Sequence, residues 1–169
     1  DATGDFTIHA INFQHVPSAP ALSFTAESGS PTVSTLPVNT AAVRGVAQLE
    51  SSSASSGLTH TAGTNFFQLH FHVGAPNAFA AIALDFDPSD TGESVDLSAV
   101  PNLIFGINSA VAKRVKIEIE DVHGNTYSSA STDIVTTGYY KFLTSLAASK
   151  VDLSRIKSLK FGVDQYSVS

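Results

Sequence analysis

The sequence predicts an all-β fold, an antiparallel β-sandwich, and three observations carry that expectation. One phrase occurs twice: VDLSAVPNLIFGIN at residues 95–108 returns as VDLSRIKSLKFGVD at 151–164. Several runs alternate hydrophobic residues with polar or small ones, the period of a strand with one buried face. No amphipathic stretch of helical length interrupts them. Short strands joined by polar turns are the pattern of two packed sheets.

The elements follow in order. Phe6 and Ile8 open an alternating run that closes at Phe13. Residues 14–40 hold four of the seven prolines, Pro17, Pro20, Pro31 and Pro37. Proline removes a ladder donor, so this region reads as a loop with short extended pieces near 22–25 and 32–36. A moderate strand at 42–49 precedes a polar loop at 51–57. Residues 66–73 form a strong strand, with Phe67, Leu69, Phe71 and Val73 on one face and Phe66, Gln68, His70 and His72 on the other. Residues 79–86 form another, with Ile82, Leu84 and Phe86 inward. The first copy of the repeat supplies a strand at 103–107. Residues 114–120 alternate Val115, Ile117 and Ile119 with Lys116, Glu118 and Glu120, and VHGN at 122–125 turns this strand into a hairpin. Strands at 134–136 and 139–143 and the second repeat strand at 159–163 complete the series. In each copy of the phrase, Asp96 or Asp152 is expected to bond backbone N–H groups of the turn that follows, so both are read as structural. The expected core is Leu69, Phe71, Ile82, Leu84, Leu103, Phe105, Ile117, Ile119, Leu159 and Phe161.

A chain of 169 residues is one domain by length, and it buries roughly 70% of its unfolded surface without needing a staple. There is no Cys, hence no disulfide framework and no thiolate chemistry. The net charge is −6 with only 9 Lys and Arg, which argues against a phosphate-tracking surface and therefore against nucleic acid as a partner. No run approaches the ~20 apolar residues of a membrane-spanning helix, so no membrane insertion is expected. Serine and threonine take the place of surface charge, as in SSSASS at 51–56. With an opening Asp1 and no Met, this composition suggests a processed or excerpted chain, secreted or held at the cell surface.

From about residue 42 to 163 the chain resembles a β-jelly-roll carbohydrate-binding module of the galactose-binding-like type. The phrases that carry the resemblance are VDLSAVPNLIFGI at 95–107, RVKIEIEDVHGN at 114–125, YYKFL at 139–143 and VDLSRIKSLKFGV at 151–163. It implies a jelly roll. Modules of this type end on one more strand after the last phrase, and here the matching sequence, GDFTIHAINF, stands at 4–13 instead. Residues 1–13 are therefore expected to be a displaced closing strand, 14–40 a Pro-rich connector and 41–169 the body of the sandwich. Phe6, Ile8, Ala10, Ile11 and Phe13 would close a sandwich in cis as a circular permutation, join units of a tandem array, or be donated to a neighbour in trans. The donated arrangement is the expectation, because an unfilled edge is a hazard that proteins cover. It makes copies of the chain or adjacent repeats the partners.

Candidate sites are sparse. His70 and His72 share a strand face and, with Phe66, Gln68, Tyr139 and Tyr140, are the candidates for contact with a polysaccharide. Asp85, Asp87, Asp90 and Glu93 crowd one loop and are the candidates for a structural calcium, although the spacing is not that of an EF-hand; no other cofactor is expected. No G-x-S-x-G elbow occurs, and Glu118 and Glu120 read as a solvated strand face, so no enzyme activity is expected. Trp, the usual sugar platform, is absent. Two functions follow. The first is a non-catalytic extracellular structural module, a unit of a surface fibre, sheath or adhesin; the alternative is a carbohydrate-binding module that attaches an enzyme or cell to a polysaccharide.

Overall fold

Two β-sheets face each other across one apolar core in the computed structural model. It describes residues 2–14, 21–26, 33–36, 42–52, 55–60, 66–87, 90–99, 102–129, 132–133, 137–143, 145 and 147–168. The strands are β1 (Ala2–Gln14), β2 (Ala21–Ala26), β3 (Val33–Leu36), β4 (Ala42–Ser51), β5 (Gly57–His60), β6 (Phe66–Val73), β7 (Phe79–Asp85), β8 (Asn102–Asn108), β9 (Arg114–Asp121), β10 (Thr126–Ser128), β11 (Thr132–Asp133), β12 (Thr137–Leu143) and β13 (Ile156–Asp164). The smaller sheet runs β12-β8-β1-β6-β5 and the larger β10-β9-β13-β7-β4-β2-β3, with β11 beside β9. Neighbours pair antiparallel except β2 and β4, which are parallel. The fold is thus all-β, as the alternating runs require.

Alternation decides which side chains meet. Phe6 and Ile8 of β1 and Leu69, Phe71 and Val73 of β6 project from the smaller sheet. Ile82 and Leu84 of β7, Ile117 and Ile119 of β9, and Leu159, Phe161 and Val163 of β13 project from the larger, and all are buried in one cluster. Removing such side chains from water stabilises by about 1.5–3 kcal/mol each. Every expected core residue with a described side chain is buried; the side chains of Leu103 and Phe105 lie outside the described residues, as does the strand expected at 134–136.

The N-terminal strand finds its pairing partners within its own chain. It lies between β6 and β8 of its own chain, from Ala2 opposite Val73 to His9 opposite Phe66 on one side, and from Thr7 opposite Asn108 to Gln14 opposite Asn102 on the other. A register shift between His9 and Asn12 marks an irregularity against β8. Phe6 and Ile8 are fully buried, and the Ser109 hydroxyl donates to the Asp5 carbonyl at 2.7 Å. β1 is thus a central strand of the sheet opposite β13. The side chains of Ala10, Ile11 and Phe13 lie outside the described residues. Both ends of the chain reach one segment: Val111 packs on Gly4, where an added Cβ would come within 2.9 Å of it, and the Lys113 N–H donates to the Ser167 carbonyl. The segment 14–40, expected to be a connector, also contributes β2 and β3 to the larger sheet.

The twin phrases meet at one end of the sandwich. Val95 and Ile156 exchange backbone hydrogen bonds at 2.9 Å, and the Leu97 N–H donates to the Leu153 carbonyl. In the first copy the Asp96 carboxylate accepts the Ser98 N–H at 2.8 Å and its hydroxyl at 2.5 Å. In the second, Asp152 accepts the Ser154 N–H at 3.0 Å and its hydroxyl at 2.6 Å. Two stretches of like sequence fold into the same turn, and both carboxylates bond the turn that follows, as expected.

Candidate functional site

The alternation that fills the core also builds the outer face of the larger sheet. On β13, Lys160, Gly162 and Asp164 face away from the core; on β9, Lys116, Glu118 and Glu120 do; on β7, Phe79, Ala81 and Ala83 do. Register sets their neighbours. Gly162 lies between Ala81 and Lys116, Lys160 between Ala83 and Glu118, and Asp164 opposite Phe79. Glu50 of β4 extends the middle row beyond Ala81.

Small residues in the middle of this face leave a hollow. It is a cavity of about 390 Å³, within the range of small-molecule sites. Ala81 and Gly162 form its floor. Phe79, Asp164 and Tyr166 stand at one end and Lys160 and Glu118 at the other, with Glu50 reaching Lys160 from the middle row and Ser128 of β10 on the rim. Phe79 is 44% exposed and Tyr166 64%. At Gly162 an added Cβ would meet the Ala81 Cβ at 3.4 Å, ordinary contact, so a larger side chain would rise into the hollow rather than strain the strand.

The charges of the cleft are tied to one another. The Lys160 ammonium lies 3.2 Å from Glu50, 3.4 Å from Glu118 and 3.6 Å from Glu120. Burial pushes this lysine down, and the three carboxylates, Glu50 foremost, more than reverse it, so its ammonium group is held above the ordinary lysine value. Lys116 donates to the Asp164 carboxylate. Asp164 also accepts the Tyr166 N–H at 2.9 Å and the Ser167 hydroxyl at 3.1 Å. Burial raises its carboxyl, and these donors, led by Lys116, bring it below the ordinary value. One carboxylate therefore sits opposite Phe79 and pins the turn that presents Tyr166.

The residues singled out in the sequence lie elsewhere. His70 and His72 belong to the outer face of the smaller sheet, where His70 Nδ1 is 3.1 Å from the carboxylate of Asp5, its cross-strand neighbour. His72 Nδ1 is 3.1 Å from the hydroxyl of its own neighbour, Thr3. Each imidazole pairs along its own row of the ladder, and the two do not converge. Gln68 is half-buried opposite Thr7. Phe66 stands opposite His9, Tyr139 opposite Gly106 and Tyr140 opposite Phe105, with side chains outside the described residues.

The acidic loop is closed on itself. Asp87 is buried, and its carboxylate accepts the Thr91 N–H at 2.8 Å and the Gly92 N–H at 3.0 Å. Burial raises its carboxyl, and backbone N–H groups of Thr91, Gly92 and Glu93 overcome that and lower it. Asp85 accepts the Asp87 N–H, Asp90 pairs with Lys157 at 2.9 Å, and Glu93 is exposed. The carboxylates of Asp85, Asp87 and Asp90 thus bond the backbone and a lysine, and among the described residues no three metal-binding side chains converge.

Sequence reasoning missed the cleft because its walls come from β4, β7, β9 and β13, far apart in the chain. One signal was present: Ala81, Ala83 and Gly162 occupy outward strand positions where polar residues are usual. No family model, no curated protein and no solved structure matches the chain.

Proposed function

We propose that this chain is a jelly-roll carbohydrate-binding module, non-catalytic, that holds itself and whatever it is joined to on a polysaccharide outside the cell. The cleft on the outer face of the larger sheet is the binding site. The observation that carries the reading is the pairing of exposed Phe79 and Tyr166 with ionised donors and acceptors over a floor of Ala81 and Gly162. A pyranose has an apolar C–H face and a rim of hydroxyls. The face packs on aromatic rings, and the apolar surface so buried is worth about 25 cal/mol per Å². The hydroxyls are both donors and acceptors, so they suit carboxylates and ammonium groups alike.

Glu50, Glu118 and Glu120 all end on Lys160, an arrangement that uses them as ion-pair partners and supports a binding rather than a hydrolytic role. The fibre reading drew on strand donation or on tandem repetition of units. The pairing of β1 within its own chain favours attachment over strand donation.

The test is binding to a panel of insoluble and soluble polysaccharides, with Gly162→Leu as the blocking variant. Binding by the native chain should fall at least tenfold in Gly162→Leu while the melting temperature holds within a few degrees. Phe79→Ala and Tyr166→Ala should each weaken it several-fold, the loss of about 1 kcal/mol of apolar burial. No reducing ends should be released. Binding that ignores Gly162→Leu, or degradation of the glycan, would contradict the proposal.

A further inference from the structure

We infer that the cleft selects uncharged glycans and that Lys160 is the residue that sets this choice; the inference rests on reading the cleft as a glycan site. The lining carries two ammonium groups, Lys116 and Lys160, against three carboxylates, Glu50, Glu118 and Asp164. Each cation already has a carboxylate partner. Lys116 is bonded to Asp164, and Lys160 lies within 3.6 Å of Glu50, Glu118 and Glu120. A uronate or sulfate would have to displace these carboxylates from a lysine whose own pairing already exceeds its desolvation. It would also enter a site with excess negative charge on a chain of net charge −6. Like charges brought together at such a surface raise the free energy of the wrong partner.

A cationic sugar meets the opposite obstacle. Its ammonium group would find the acidic end of the cleft already neutralised by Lys160, with the two positive charges competing for the same oxygens. A neutral hydroxyl displaces nothing. Each carboxylate of an ion pair keeps lone pairs for a hydroxyl donor. Lys160 thus acts as an internal counter-ion that fills the place a charged ligand would otherwise take.

The test measures affinity for four soluble probes in slightly acidic buffer, at low and high salt. The probes are a β-glucan and a galactomannan (uncharged), a polygalacturonate (anionic) and a partly deacetylated chitin (cationic). The native chain should bind an uncharged probe at least tenfold more tightly than either charged one, with little dependence on salt. Lys160→Gln, which leaves the three carboxylates without their cation, should gain at least tenfold for the cationic probe, reversed by raised salt. Lys160→Arg should keep the native order. Glu50→Gln, which removes one competitor for Lys160, should gain for the polygalacturonate and serves as the second reporter should Lys160→Gln fail to fold. Preference of the native chain for a charged probe, steeply salt-dependent and blocked by Gly162→Leu, would overturn the inference and leave the glycan cleft standing. A folded Lys160→Gln with the native order would overturn the role of Lys160. Native chain that binds none of the four, nor any other glycan, would instead overturn the reading of the cleft itself.

Discussion

Asp121 sits where β9 turns into β10, with no exposed surface. Its carboxylate accepts N–H groups from His123 at 2.9 Å and Asn125 at 3.0 Å, the Asn125 side-chain amide at 2.9 Å, and the N–H of Asp152 at 2.9 Å across from the second twin phrase. Burial alone would raise its carboxyl; the Asp152 and Asn125 donors, then His123, outweigh that and hold it at about 2. A folded value below the ordinary 3.8 means that its contribution is complete above about pH 4 and is lost as pH falls through about 2. Asp121→Ala should therefore lower stability by about 3 kcal/mol at neutral pH, since buried donors lose a charged acceptor. In urea titrations the gap between native chain and variant should narrow as pH drops from 4 towards 2; a pH-independent gap would show that the ionised carboxylate is not the cause. Phe161→Ala, at a fully buried ring, should cost about 3–5 kcal/mol by the same measurement. Asp96→Ala and Asp152→Ala should each lower the melting temperature by a few degrees and leave glycan binding unchanged, because both act within exposed turns. Those turns were readable from residue type, since Asp two places before Ser bonds locally. The burial of Asp121 was not, because it depends on Asp152, which lies in another part of the chain.

At the scale of the element, β1 carries the most weight. Strands with one buried face announce themselves by alternation, and Phe66–Val73, Arg114–Asp121 and the repeat strand at 159–163 were legible for that reason. The inward sets of β7 and β9, and Leu69, Phe71 and Val73 of β6, agree with it. β5 was not legible: four residues, Gly57–His60, follow a serine-rich loop and hold too little pattern to stand out. β1 was legible as a strand, but its partners were not, since pairing depends on how the long Pro-rich stretch after it is routed. Its central place between β6 and β8 yields a definite expectation. Deleting residues 1–14 should remove the middle of the smaller sheet and leave an unstable, aggregating chain, to which a peptide of residues 1–14 restores cooperative melting. The intact chain should be a monomer by light scattering at every concentration tested. Polymers that a free 1–14 peptide shortens would show that β1 is exchanged between copies and would revive the fibre reading.

At the scale of the molecule, the sandwich turns one alternating pattern to two uses. Inward side chains of β7, β9 and β13 hold the sheets together, while their outward neighbours make a hollow edged by Phe79, Tyr166 and the Lys160 ion-pair cluster. The class of the fold was legible because it depends on local periodicity. The cleft was not, because it depends on register, and register brings Glu50, Phe79, Glu118 and Lys160 together from four strands. The histidine-bearing face of β6 was legible because residues two apart on a strand share a face. The most direct measurement is amide chemical-shift mapping of the isotope-labelled intact chain, titrated with a soluble uncharged oligosaccharide. The expected result is saturable shifts centred on Phe79, Ala81, Lys160, Gly162 and Tyr166. Shifts centred instead on Gln68, His70 and His72, or no saturable shifts with any glycan the chain is offered, would contradict the assignment of the cleft.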